Sequence, residues 1–463
     1  MLLLHSVRRF TTPALTMLLA GVAAVPLAQA AGTRPLAGLK SSGAWRVARV
    51  DKPADGTARI GAGFSAERLV QQVLLRNPGI EAMRAAADAA DARIESAGAL
   101  EDPMLSYAVA PATADGPGQG LNQNAQISQR LPWPGTLALR SKVAVAEADA
   151  AGQQVADLRL RLSVLARADY AQWYYVHRAL AINVENTRLV KHLRAVAEAA
   201  YASGQSPQQD VLQAEVAGVR LQNQALELAR LQRTVQAKIN ALQNLDPDTA
   251  VPAPGELPQE VPLPTFAALQ DAALAHYPML QSLDARVSAS RDRVDLAHKD
   301  NFPNVSLLAG YNSLMDLPAK RLTVGIAISI PFGGNHRGEV NEANARLHES
   351  EAKLANGRNQ LLSDLAQTRA TAAQAVATVK LYNGRLLPLI RLNMQAAEAD
   401  YSQGSGAGDF LKLITTEQQY LMAELELARA RADFSTQLAS LNYQTGGTLL
   451  PSPVSATSRS TTP

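Results

Sequence analysis

The chain of 463 residues contains no cysteine. Disulfide frameworks, thiolate nucleophiles, cysteine zinc sites and lipid attachment to an N-terminal cysteine are therefore excluded. Beyond the first thirty residues there is no run of about 18 apolar residues, so no transmembrane helix is predicted in the rest of the chain. Charge is nearly balanced, with 44 Lys and Arg against 41 Asp and Glu, and no basic cluster predicts a nucleic-acid partner.

Sequence motifs for catalysis and metal binding are missing as well. The chain has no H-E-x-x-H, no G-x-S-x-G, no phosphate-binding loop and no G-x-G-x-x-G motif. Its seven histidines are dispersed, and none has a second histidine three or four residues away, the spacing expected of metal ligands on a helix. We therefore predict no catalytic residue, no metal site and no cofactor, and an enzyme is the class of function with the least support.

The N-terminus has the pattern of an export signal. The basic pair Arg8 and Arg9 precedes an apolar run over residues 13–27 and an Ala-x-Ala sequence that ends at Ala30. This order predicts that residues 1–30 are a signal peptide cleaved after Ala30. A membrane anchor is the alternative, but the apolar run is short for a transmembrane helix.

The rest of the chain is an internal duplication. A shift of 200 residues aligns positions that constrain the backbone: Pro78 with Pro278, Pro103 with Pro303, Tyr201 with Tyr401, and Gly204 with Gly404. These matches predict two copies of one unit, at residues 64–245 and 265–445. Residues 246–264 are rich in proline and predict an extended linker. We expect a flexible N-terminal segment at 31–63 and a disordered C-terminal tail at 446–463.

Each unit contains two predicted strands. In the second unit, Leu322, Val324 and Ile326 begin a run in which apolar residues alternate with small or polar ones, and a partner strand is predicted near residues 304–312. The first unit has weaker strand patterns on either side of the turn-rich segment 111–120. Each strand should have about 9–11 residues, enough to cross a bilayer when tilted. A half-buried strand of a soluble sheet gives the same alternation.

Helices account for the remainder of each unit. An opening helix is predicted over residues 66–97 and again over 266–297. The first strand pair is followed by a long helical stretch, because no proline occurs between Pro134 and Pro207. Its apolar residues keep coiled-coil spacing, and the chain then turns and returns as a second helix. A soluble helical hairpin or an adhesin stalk has the same helical pattern.

The junctions between these elements carry recognisable motifs. Ile-Ser-Gln-Arg-Leu-Pro-Trp-Pro-Gly at 127–135 and Ile-Ser-Ile-Pro-Phe-Gly-Gly at 328–334 follow the two strand pairs. Tyr-x-x-Gly occurs at both helical turns, followed by Asp210-Val-Leu in the first unit and Asp409-Phe-Leu in the second. In this order, and duplicated, the motifs over residues 64–445 resemble the TolC family of outer-membrane efflux proteins. The Pro-Trp-Pro-Gly turn is similar to members paired with heavy-metal exporters.

The resemblance implies a mainly α fold with a small β part. Long α-helical hairpins would form a trimeric α-barrel tunnel, and four β-strands per chain would contribute to a shared twelve-stranded outer-membrane β-barrel in contact with lipid. The homotrimer would be the exit duct of a tripartite efflux pump, working with a periplasmic adaptor (membrane fusion) protein and an inner-membrane transporter of the resistance-nodulation-division (RND) type. Its cargo would be small molecules or metal ions, with type I secretion of a polypeptide as the alternative.

The resemblance also implies where partners and cargo meet the chain. Adaptor contacts are expected at the periplasmic helix tips: Gly204, Gln205, Ser206, Gly404 and Ser405. The periplasmic entrance, or gate, is expected at Tyr401, Asp409 and Lys412. Alternatively, the glycines are only structural turns, Asp409 only caps its helix as Asp210 would in the first unit, and Lys412 pairs with Asp409.

Two rival functions remain open from the residues alone. One is a secreted or periplasmic coiled-coil structural protein, which would have no need of four strands at equivalent points of a duplication. The other is a periplasmic enzyme, which would require a clustered polar pocket that sequence spacing does not reveal.

Overall fold

The computed structural model describes residues 64–110, 122–258, 262–313, 321–331, 335–403 and 409–450. The predicted signal peptide and the N-terminal segment 31–63 lie outside these residues, as does the tail from residue 451. None of the helices in the described ranges combines the length and the apolar character needed to traverse a lipid bilayer.

The elements follow one order twice. The first series is α1 (Ala66–Arg76), α2 (Pro78–Gly98), β1 (Met104–Ala110), β2 (Asn122–Leu131), α3 (Thr136–Ala202) and α4 (Gln208–Leu242). The second series is α5 (Phe266–His276), α6 (Pro278–Lys299), β3 (Asn304–Asn312), β4 (Leu322–Ser329), α7 (Asn335–Leu381), α8 (Leu387–Gln403) and α9 (Asp409–Gln444). A π-helical turn, Tyr382–Leu386, joins α7 to α8 where the first series has one continuous helix.

The prediction of one opening helix per unit is wrong, since each is split in two. Asn77 is extended, with φ −72° and ψ 117°, and its side chain caps α2 by accepting a hydrogen bond from the N–H of Gly79 at 3.0 Å. Tyr277 has the same extended backbone before Pro278. A residue that precedes proline is sterically disfavoured in the helical region, so the helix ends there and restarts with proline in its first turn.

The four strands form one antiparallel sheet in the order β1-β2-β3-β4. The central pair, β2 and β3, joins the two repeats, and the register places Ile127 opposite Leu105 on one side and Ala309 on the other. The strands have 7, 10, 9 and 8 residues in chain order, so β1 and β4 are shorter than predicted.

Helix α3 has 67 residues and would extend roughly 100 Å at 1.5 Å per residue. It begins after Gly135, whose φ of +89° is readily adopted only by glycine, and it packs against α2, α4, α6 and α9. It is the common partner that brings helices of both repeats together.

The described residues of the proline-rich linker contain a turn at Asp246–Thr249 and are docked on α3 rather than free. The indole Nε1 of Trp173 donates to the carbonyl of Pro252 at 2.9 Å. The hydroxyl of Tyr170 lies 2.7 Å from the carbonyl of Phe64 and 3.1 Å from that of Gly255. Both rings are buried in the apolar core beneath α1, so the linker covers this core instead of separating the repeats.

Candidate functional site: sheet faces and helix tips

The sheet presents one mainly apolar face, on which Gln123 and Gln129 of β2 are the polar exceptions. Because side chains alternate along each strand, the register brings the following residues to the same side: Leu105, Tyr107, Val109, Ala125, Ile127, Leu131, Val305, Leu307, Ala309, Tyr311, Leu322, Val324, Ile326 and Ile328. Val324 is 83% exposed and Leu105 is 74% exposed. An apolar surface of this kind marks contact with a membrane or another protein.

The opposite face is mainly polar or small. It carries Ser106, Asn124, Gln126, Ser128, Arg130, Ser306, Thr323 and Ser329, interspersed with Ala and Gly and with two large apolar residues, Met104 and Leu308. The hydroxyl of Ser106 donates to the carbonyl of Gln126 at 3.3 Å, and that of Thr323 donates to the carbonyl of Gly310 at 3.2 Å. The two faces therefore suit two different environments, one apolar and one aqueous.

The first helix tip closes in a tight reversal at Gly204. This glycine has φ +73°, and the next N–H, from Gln205, reaches back to the carbonyl of Ala200 at 2.9 Å. That bond and the left-handed glycine are the features of a Schellman cap. Gln205 is exposed, whereas the Ser206 hydroxyl is buried and has no hydrogen-bond partner among the described residues. The equivalent Gly404 and Ser405 lie outside the described residues.

Tyr401, predicted at the gate, lies at the contact between the two hairpins. Its ring centroid is 5.4 Å from that of Phe410, and its hydroxyl is buried without a hydrogen-bond partner among the described residues. Burial raises the pKa of Tyr401, and the nearby carboxylate of Asp210 raises it further. The proximity of Tyr401 and Asp210 is not visible in the sequence, because it arises from the packing of one hairpin against the other.

Asp210 does not cap α4, so that expectation is wrong. The N-cap is Pro207, without a side-chain hydrogen bond, and Asp210 lies in the first helical turn. Its side chain is buried, and this burial raises the pKa of the carboxyl group. The carboxyl group of Asp210 and the hydroxyl of Tyr401 are therefore both buried where the two hairpins meet.

The other two predicted gate residues begin α9. Asp409 is its first residue, and the placement of its side chain lies outside what the structure describes. The ammonium of Lys412 is 2.6 Å from Oδ2 of Asp400 on α8. The sequence predicted Asp409 as the partner of Lys412, but positions 400 and 412 flank the hairpin turn and face each other when the helices run antiparallel.

An apolar cluster fastens the second tip to the first hairpin. Phe410, Leu413 and Ile414 of α9 pack against residues of α3 and α4, including Val190 and Leu221. All five are buried. The position of the second tip is therefore set by contacts that the first repeat supplies.

A buried carboxylate, Glu417, lies one helical turn further along α9. It is 4% exposed and lines two adjoining clefts, of about 610 Å³ and about 250 Å³, between α9 and the first hairpin. Burial raises its pKa to about 7, with smaller contributions from Glu398 and Glu424. Across the described residues, no group of three or more His, Cys, Asp or Glu side chains has the arrangement needed to hold a metal ion.

Known proteins share this fold and part of the sequence. The outer-membrane channel OprN superposes with a TM-score of 0.72 and 20% identity, over 83% of this chain and 91% of OprN. The outer membrane protein VceC of Vibrio cholerae gives 0.70 and 18%, over 82% and 96%. These likenesses show the fold, and they confirm the predicted class of long helices with a four-stranded antiparallel sheet.

Sequence comparison adds one relative and one family match. The alkaline protease secretion protein AprF of Pseudomonas aeruginosa is 25% identical over 258 residues, 53% of each chain. This chain thus spans about half the length of that curated relative. The outer membrane efflux protein family matches residues 269–447. The resemblance seen in the duplicated motifs is confirmed, since the second repeat matches the outer membrane efflux protein family and the whole fold is that of solved outer-membrane channels.

Proposed function

We propose that this protein is the outer-membrane exit duct of a tripartite efflux pump. The two-faced sheet is the observation that supports this function best. Its apolar side chains are exposed on the chain itself and would lie against lipid, while the polar and small residues of the other face would line an aqueous passage. The chain would provide a passage for the cargo and would not catalyse a reaction.

Closure of the passage requires further copies of the chain. β1 and β4 lie at the two edges of the sheet, where unpaired backbone N–H and C=O groups face outwards. Such groups are costly in hydrocarbon and need partners. Three chains with four strands each would pair β1 of one with β4 of the next and form one twelve-stranded barrel. A homotrimer is thus the proposed assembly.

The helical hairpins would extend the duct through the periplasm. The first tip places exposed Gln205 beside the reversal at Gly204, with a polar surface for the periplasmic adaptor. The second tip, with Gly404 and Ser405, would offer an equivalent contact. An inner-membrane transporter, proposed to be of the RND type, would supply the energy.

The gate would lie at the second tip, where Tyr401 packs against the first hairpin and Lys412 pairs with Asp400 on α8. Asp409 would add one carboxylate from each of three chains. Opening would require the apolar cluster around Phe410 to separate from α3, because this cluster fixes the position of the tip.

The proposed cargo is a small molecule or a metal ion. Secretion of a polypeptide is the second candidate, and it is favoured by the similarity to AprF, an alkaline protease secretion protein. A transport assay in cells that carry each type of pump would separate the two, since the polypeptide candidate requires accumulation of a secreted protein in the medium.

A matched pair of strand variants tests the channel. Val324 and Thr323 are neighbours on β4 and point to opposite faces. A lysine on the lipid face near the bilayer midplane costs about 2–4 kcal/mol, whereas a lysine in the lumen alters the passage and not the insertion. Val324→Lys should therefore lower the yield of trimer from outer membranes, and Thr323→Lys should give normal trimer with altered conductance in planar bilayers. A water-soluble monomer for the parent chain, or equal yields for both variants, would contradict the proposal.

A further inference from the structure

A cleft rich in arginine lies among the four helices that adjoin the sheet. It has a volume of about 510 Å³ and is lined from α2, α3, α6 and α7. Its charged and amide side chains are Arg93, Glu147, Gln154, Arg286, Arg293 and Lys353. Volumes of this size are typical of small-molecule sites. The proposed channel function makes no use of this cleft.

Positive charge is in excess within the cleft. Arg93 lies 3.6 Å from one oxygen of Glu147, and Arg293 donates to the other oxygen. Lys353 contacts Glu349 at 2.6 Å. None of the ion pairs in the described part of the chain includes Arg286. The carboxylates that pair with these side chains are Glu147 and Glu349. Against them stand four cations, Arg93, Arg286, Arg293 and Lys353, so the net charge is +2.

A neighbouring cleft, lined from α3, α5, α6 and α7, has the opposite balance of charge. It has a volume of about 410 Å³ and contains Asp149, Asp284 and a single cation, Arg358. Asp149 and Glu147 are two residues apart on α3, and Asp284 and Arg286 are two apart on α6, a spacing that directs helical side chains to different faces. The basic character therefore belongs to one cleft and is not a general property of these helices.

We propose that the arginine-rich cleft binds a small dissolved oxyanion, such as a phosphate or a carboxylate. Planar guanidinium groups bind such anions through paired charge-assisted hydrogen bonds, and Arg286 is available for this contact. Glu147 now occupies Arg93 and Arg293 in the way that a bound anion would. It therefore competes with the ligand and limits its affinity. This site depends on the folded chain and not on the proposed channel function.

Titration calorimetry of the full chain in detergent tests the site, with inorganic phosphate as the probe and chloride used to keep ionic strength constant. Arg286→Gln should weaken phosphate binding about tenfold, the effect of one lost charge-assisted hydrogen bond. Glu147→Gln should strengthen it, because two arginines lose their competitor. Arg358→Gln, in the neighbouring cleft, should leave it unchanged. Circular dichroism and trimer elution would confirm that each variant is folded.

Several outcomes would overturn the site. The parent chain could fail to bind phosphate at millimolar concentrations, or Arg286→Gln and Arg358→Gln could weaken binding equally. A structural role for the Arg–Glu pairs predicts that Glu147→Gln lowers stability and does not raise affinity. Binding of short-chain phosphatidylglycerol without phosphate binding would assign the cleft to lipid headgroups and overturn a dissolved ligand. Conductance in planar bilayers is measured separately, so failure of the site and failure of the channel are distinguishable.

Discussion

The hydroxyl of Tyr277 donates a hydrogen bond to the hydroxyl of Tyr443 at 3.0 Å, joining the α5–α6 junction to the end of α9. In the first repeat, the side chain of Asn77 donates to the carbonyl of Leu242 at 3.0 Å, which is the same junction joined to the end of α4. In both repeats, the junction between the two opening helices is thus hydrogen-bonded to the end of the last helix, but different side chains form the bond. In the second repeat the link continues, because Tyr443 donates to Asp157 of α3 at 2.8 Å.

This hydrogen-bond network predicts that replacing Tyr443 lowers the free energy of unfolding more than replacing Tyr277. Asp157 is 4% exposed, and Tyr443→Phe would remove one of its donors and leave Arg161 as the other. The expected loss is about 1–3 kcal/mol in the free energy of unfolding, because a buried acceptor loses a partner. Tyr277→Phe removes a bond between two neutral groups and should cost about 1 kcal/mol or less. Urea denaturation in detergent, followed by circular dichroism, would compare them, and equal costs would argue against the network.

Much of this fold could be predicted from the sequence, because the decisive signals are local. The alternation from Leu322 to Ile328 specifies the two faces of β4, and the turn motif at Gly204 specifies the reversal. The split at Asn77 was also readable in principle, since the following proline disfavours a helical residue before it. Steric restrictions between neighbouring residues depend only on the local sequence, so they can be recognised from the sequence alone.

The residues missed in the sequence act across long separations. Trp173 binds the linker at Pro252, and Tyr401 lies near Asp210, only because helices distant in the chain pack together. In the sequence, Glu417 cannot be distinguished from an exposed acidic residue on a helix, because its burial arises from packing against α3. A charged residue that is buried only by tertiary packing produces no periodic pattern in the sequence.

Glu417 predicts that stability depends on pH. Its pKa is raised from 4.5 to about 7 in the folded chain, so the folded state binds more protons than the unfolded state between these values. The stabilisation is therefore complete below about pH 4.5 and is lost as pH rises to about 7. Charged and titratable groups that surround it in the two clefts are Arg178, Glu185, Arg188, His192, Arg220, Tyr420 and Glu424.

Replacement of Glu417 tests this dependence. Glu417→Gln keeps the shape of the side chain and cannot ionise, so the variant should exceed the parent in stability at pH 8 by about 1–3 kcal/mol. At pH 4.5 the two should be similar. Glu426→Gln, an exposed position on the same helix, serves as the control. Melting temperatures across this pH range measure the effect, and a constant difference between parent and Glu417→Gln would contradict it.

The first helix tip predicts a separation of assembly from transport. Gln205 is exposed beside Gly204, so Gln205→Trp should leave folding and trimer yield unchanged and reduce efflux if the adaptor docks there. Gln222→Trp places the same bulk on an exposed position of α4, away from the tip, and should have little effect. Ser405→Trp should act like Gln205→Trp if the second tip is equivalent. Normal efflux in both tip variants would remove the tips from the docking surface.

The gate predicts a difference in ion selectivity between two aspartates at equivalent points of the repeats. Asp409 begins α9, and three copies around one axis would attract cations and disfavour anions. Lys412 is paired with Asp400, so its positive charge is matched by a carboxylate on α8 and is not an unopposed countercharge to that ring. Asp210 is buried against the other hairpin and has little access to a passage. Asp409→Asn should therefore lower cation selectivity, measured as the reversal potential in a KCl gradient, whereas Asp210→Asn should not. If both variants keep the reversal potential of the parent, Asp409 has no part in selecting ions and serves only to begin its helix.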